Sequence, residues 1–185
     1  EIGSISLYAL AGLNRVDKLS NEASLKYFLL GSLASCILIY GVSLVYVSFS
    51  VFSVYNLALG IAYVGPDSVP LTTSIGVLLI FIGLLFKIAA APFQSWAPDV
   101  YQGSPTGYVG FMSSIAKVSS FIVIARLCLV SINFIIEDFN IFFLIVIISS
   151  ALIGSLFASI QEDLKRLLAY SGVVQSGFIL SGIVS

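Results

Sequence analysis

Six stretches of the chain are apolar over most of their length, and short polar segments separate them. They cover about residues 1–13, 22–47, 69–91, 106–130, 139–160 and 164–185. A helix that crosses the hydrocarbon of a bilayer needs about 20 mostly apolar residues. Five stretches meet that length, and the first is already apolar where the sequence opens at Glu1. Residues 141–160 carry no charge at all. Ser20 offers an N-cap for the second stretch, with Glu22 in its first turn. Membrane barrel strands alternate strictly over about ten residues, and no such alternation runs here. The pattern predicts an all-α membrane protein with about six transmembrane helices.

The polar segments sort by charge. Residues 14–21, 92–105 and 161–166 hold Arg15, Lys18, Lys165 and Arg166. Residues 48–68 and 131–138 hold no Lys or Arg and carry Asp67, Glu137 and Asp138. By the positive-inside rule the first set faces the cytoplasm or matrix. Composition agrees with a bilayer. Hydrophobic residues make up 59% and charged residues 9%, against about 25% charged in soluble domains. A soluble enzyme, a disordered tail and a nucleic-acid-binding module are excluded. The net charge of −1 offers no basic face for phosphates. There is no histidine, so most zinc and haem sites lose a required part. Cys36 and Cys128 sit in apolar runs and read as small lipid- or core-facing residues.

Against this background, charges inside the apolar stretches are informative. An unpaired lysine at the centre of a crossing helix costs several kcal/mol on insertion scales, and such residues usually mark ion pathways. Lys117 lies near the middle of its stretch among small polar residues, and Lys87 lies closer to an end. Snorkelling to the interface is the competing reading, and it suits Lys87 better than Lys117. Lys26, four residues after Glu22, reads from the residues alone as an interfacial anchor. After Lys87 come Pro92, Pro98 and Pro105, which prevent a continuous helix. Two readings stay open there. One is a loop with Trp96 and Tyr101 in an interfacial aromatic belt, and the other is a broken helix near residues 87–98 that lines a path.

Residues 86–105 read Phe-Lys-Ile-Ala-Ala-Ala-Pro-Phe-Gln-Ser-Trp-Ala-Pro-Asp-Val-Tyr-Gln-Gly-Ser-Pro. This run resembles the signature of the antiporter-like subunits of respiratory complex I, in the branch of NADH dehydrogenase subunit 2 (the bacterial N subunit). Residues 19–35 and 161–171 are similar to two further stretches of that family, in the same order. The resemblance implies a fourteen-helix fold with two inverted five-helix repeats, of which this chain supplies about the fifth to tenth helices. It implies a proton-translocating subunit of NADH:ubiquinone oxidoreductase with no redox centre of its own. Flavin, iron–sulfur clusters and quinone are expected in partner subunits.

The family's proton relay maps by resemblance onto Glu1, Lys26, Lys87 and Lys117, which reverses the anchor reading of Lys26. Gln94, two residues after Pro92, stands where many relatives carry a histidine; it can hold water but cannot titrate. The expected partners are other membrane-arm subunits and a second chain that supplies the later helices. The mitochondrial inner membrane is the expected location, with a bacterial plasma membrane as the alternative. Two other functions stay open: a structural antiporter-like subunit that does not pump, and a cation/proton antiporter subunit.

Overall fold

The computed structural model describes residues 2–51, 53–65, 68–131 and 136–184. Among them there are helices and connecting turns, with no strand. The helices are α1 (Ile2–Ala11), α2 (Lys18–Phe49), α3 (Val54–Val64), α4 (Leu71–Ile88), α5 (Trp96–Gly103), α6 (Thr106–Phe111), α7 (Lys117–Arg126), α8 (Ile136–Ile160) and α9 (Leu164–Val184). Two π-helical turns, Met112–Ala116 and Leu127–Ser131, join onto α7 and make α6–α7 one rod. Five helical runs are long and apolar enough to cross a bilayer: Lys18–Phe49, Leu71–Ile88, Thr106–Leu129, Phe139–Ile160 and Leu164–Val184. Most of their surface stays apolar and outward-facing; Ile141 is 72% exposed and Leu152 57%. Lipid covers such faces, because tails are as apolar as the side chains.

α2 begins one turn earlier than the Ser20 cap predicts. Asp17 is the N-cap, and its carboxylate accepts from the Leu19 N–H at 3.0 Å. Ser20 is buried and donates to the Ala11 carbonyl at 3.0 Å. Both residue types cap helices, and here Ser20 instead satisfies the open C-terminal end of α1. The second difference is α3. Residues 48–68 read as a polar connection, yet Val54–Val64 is an apolar helix that buries Leu57 and Ile61 against the Leu127–Ser131 turn. Eleven residues fall short of a crossing, which hid it from a span-length reading.

α2 and α4 pair along their length, α8 pairs with α9, and α5 bridges α2 and α9. Phe81, Leu85, Ile124 and Phe143 fill the main core. Gly41 and Gly76 let α2 and α4 approach backbone to backbone. The three connections that carry Arg15, Lys18, Lys165 and Arg166 gather at one end of the bundle. Gly103 lies against the Leu19 carbonyl, and the Lys165 Nζ donates to the Ser104 carbonyl at 2.8 Å. Cys36 is exposed, Cys128 is buried, and both are free thiols.

Candidate proton-transfer site

The break after Lys87 is built from backbone upward. α4 stops at Ile88 because Ala89 turns left-handed, with φ 57°, and its N–H closes onto Leu85 and Phe86 carbonyls. A non-glycine residue in that region costs about 1–2 kcal/mol, so neighbours must hold it. They do so at Ala91. Ser150 on α8, fully buried, accepts from the Ala91 N–H at 2.9 Å and donates to the Val146 carbonyl at 2.7 Å. Ser149 reaches the Ala91 carbonyl at 3.4 Å. The hydroxyls replace bonds that a continuous helix would have made. Pro92 is exposed in the turn, Pro98 sits in the first turn of α5, and Pro105 precedes α6.

Trp96 and Tyr101 are buried, 2% and 1% exposed. Trp96 stacks between Tyr27 and Phe86, with ring centroids 4.8 and 5.5 Å away, and its indole N–H donates to the Phe86 carbonyl at 3.1 Å. The open choice at this segment resolves as a broken helix, and the aromatic belt does not form. Folding α5 back under α2 and α4 buries both rings.

The candidate residues fall into three places. Lys26 belongs to an ionic network at the basic end of the bundle. Its Nζ meets the Glu22 carboxylate at 2.7 Å and Asp99 at 2.8 Å. The other Asp99 oxygen accepts from Arg166 Nη1 at 2.9 Å, and Arg166 also binds Gln102 and Gln161. Glu1, the expected partner of Lys26, lies outside the described residues. Asp99 and Arg166 were not legible as a pair: 67 positions separate them, although each lies in a stretch that resembles the family.

Burial alone raises the Asp99 carboxyl, but hydrogen bonds and charge from Lys26 and Arg166 outweigh it and hold it below the usual carboxylate range. A carboxylate depressed on folding adds stability above its unfolded value and loses it as pH falls through the depressed one. Asp99→Asn is therefore expected to lower the melting temperature at neutral pH, through a loss of about 1 kcal/mol for a half-exposed network. The deficit should start to shrink near about pH 4 and go on shrinking as the pH falls through the depressed value of Asp99; thermal unfolding of the detergent-solubilised protein at neutral pH and across an acid series checks it.

Lys87, in the last turn of α4, lines a cleft of about 550 Å³ with Tyr8, Gly31, Trp96 and Ser120. Lys117 lines a second groove, about 500 Å³, between α6–α7 and α9. The rod α6–α7 is the shared wall: Ser120 faces the first space and Lys117, one turn away, the second. Lys117 is 8% exposed, and its ammonium makes no hydrogen bond or ion pair within the described residues. Its Nζ would stand 2.8 Å from a Cβ placed on Gly172. A π-helical turn immediately precedes Lys117; such turns recur at functional sites. Gln94 lies half-buried in the turn, with its side-chain oxygen buried and unpaired. Among the described residues no group of three or more His, Cys, Asp or Glu could hold a metal.

Known proteins resemble the chain in sequence and in fold. The family model described as NADH:quinone oxidoreductase/Mrp antiporter, TM matches residues 1–185. NADH-quinone oxidoreductase subunit N of Trichlorobacter lovleyi is 42% identical over 185 residues, all of this chain and 38% of the relative. NAD(P)H-quinone oxidoreductase subunit 2 of Synechocystis sp. is 37% identical over 187 residues, all of this chain and 36% of the relative. Respiratory complex I from Thermus thermophilus with bound aureothin contains a chain that superposes with a TM-score of 0.79 at 33% identity, over 97% of this chain and 37% of that one. A chain of the archaeal membrane-bound sulfane sulfur reductase superposes with a TM-score of 0.86 at 27% identity, over 97% of this chain and 36% of that one. The chain thus spans about 38% of the length of the curated relatives it matches. With the family model matched from end to end and the helical fold shared, this chain belongs to the NADH:quinone oxidoreductase/Mrp antiporter transmembrane family.

Proposed function

We propose that the chain forms part of a proton-translocating membrane-arm subunit of an NADH:quinone oxidoreductase. The observation that carries this reading is Lys117. It sits near the centre of the Thr106–Leu129 run, buried and without a charge partner within the described residues. A lysine with only a structural role is disfavoured there, since the membrane interior penalises its charge without return. A lysine that gains and loses a proton suits it, because its neutral form escapes that penalty.

In the proposal, Lys26, Lys87 and Lys117 are successive proton carriers, with Glu1 as a further member at the start. Lys87 and Lys117 open onto separate spaces across one helix, so a proton passes α6–α7 near Ser120. Gln94 cannot titrate; it orients water through its unpaired oxygen instead. Electron transfer belongs to other subunits in this reading, and the chain carries no flavin, iron–sulfur cluster or quinone. Its partners are the neighbouring membrane-arm subunits and the later helices of the fold. The bacterial relatives favour a bacterial plasma membrane over the mitochondrial inner membrane.

A native gel of mildly solubilised membranes, stained for NADH oxidation and read by mass spectrometry, tests the assignment. The chain is expected in the NADH-oxidising band. Its appearance in a band without flavin and iron–sulfur subunits would favour a separate cation/proton antiporter.

A further inference from the structure

The groove that holds Lys117 contains a second unpaired polar group. Tyr101 on α5 is 1% exposed, and its hydroxyl is buried with no hydrogen-bond partner. Buried hydroxyls almost always have one, so an orphan calls for an explanation. The ring belongs to one buried cluster with Val109 and Met112 of the α6–α7 rod and Ala169 of α9. Lys117 reaches the α9 wall at Gly172. Ala169 and Gly172 are three residues apart, about 4.5 Å of helix rise. Thr106 and Lys165 line the groove at its ionic end. Tyr101, Lys165 and Lys117 thus line one groove.

We propose that the Tyr101 hydroxyl is a proton-carrying group of the Lys117 site, the step between the ionic mouth of the groove and the lysine amine. The inference rests on the proton-transfer reading above. The Tyr101 O–H passes its proton to neutral Lys117 Nζ through intervening water. It takes another proton from a hydronium on the mouth side, which is left as water. One proton arrives on Nζ, and the phenol ends as it began. Burial pushes the phenol above its ordinary value, so it works by this concerted exchange and never as phenolate.

The titratable groups on the surrounding elements are engaged elsewhere. Lys165 binds the Ser104 carbonyl, Asp99 binds Lys26 and Arg166, and Tyr108 donates to the Leu7 carbonyl. Tyr8 is also engaged, and Tyr27 stacks on Trp96.

Tyr101→Phe in the intact complex, in native membranes, tests this. The hydroxyl has no protein partner, so a structural role predicts a variant that assembles and turns over as before. The inference predicts wild-type assembly on a native gel with proton-coupled turnover lowered about tenfold, the size of one lost charge-assisted hydrogen bond. Adding Tyr101→Phe to Lys117→Met should cause no further loss. Unchanged turnover in Tyr101→Phe while Lys117→Met is impaired overturns the inference alone. Unchanged turnover in both overturns the proton-transfer reading with it. Lost assembly in Tyr101→Phe assigns the residue a structural role and also overturns the inference.

Discussion

Lys117→Met is expected to leave the complex assembled and to lower its proton-coupled turnover about a hundredfold, the low end of what a positioned proton carrier contributes. The two halves of that expectation have one cause. Lys117 is buried, near mid-span and without a partner within the described residues. Methionine fills nearly the same volume and brings no charge into the bilayer, so folding is eased by up to about 2–3 kcal/mol on insertion scales. Only the capacity to hold a proton is lost. A residue that matters for stability behaves in the opposite way. Quinone reductase activity coupled to acidification, measured beside a native-gel assay of assembly, separates the two.

Gly41→Leu should act on assembly alone, and strongly. A Cβ on Gly41 would lie 2.6 Å from the Gly76 carbonyl oxygen and 2.9 Å from the Ile80 nitrogen. Both are backbone atoms of α4 and cannot rotate away. A leucine there must push α2 and α4 apart along the most extensive helix pairing among the described residues, at a cost of about 3 kcal/mol or more. In a membrane, close packing is itself the force that joins helices, so the lost contact is not regained from lipid. The expected readout is little or no assembled complex. Gly107→Leu is the control: a Cβ on Gly107 meets nothing within 4 Å, and normal assembly is expected.

What the sequence made legible follows from its physics. Long apolar runs identified the crossing helices, because the bilayer demands length and apolarity from each segment separately. Lys117 stood out because a charge in such a run is costly wherever its neighbours are. The prolines announced that α4 does not continue into α5. The details that depend on distant parts of the chain stayed hidden. Asp17 and Ser20 carry the same capping chemistry, and only the buried end of α1 decided between them. The belt reading of Trp96 and Tyr101 was reasonable for an aromatic pair beside prolines; it failed because α5 folds back beneath Tyr27 and Phe86. The Ala91 latch joins residues 59 positions apart, and the Lys26–Asp99–Arg166 bridge spans more than that. No periodicity encodes such pairings. The unpaired Tyr101 hydroxyl is legible only once the groove around it is known.

The central claim is that this chain moves protons by way of its buried lysines. Counting protons translocated per electron pair in sealed vesicles, for the native complex and for Lys87→Met and Lys117→Met variants, tests it most directly. The account predicts a lower proton count per electron pair in each variant that still turns over, or loss of coupled turnover altogether. An unchanged count at undiminished turnover in both variants would contradict it and leave the chain a structural part of the membrane arm.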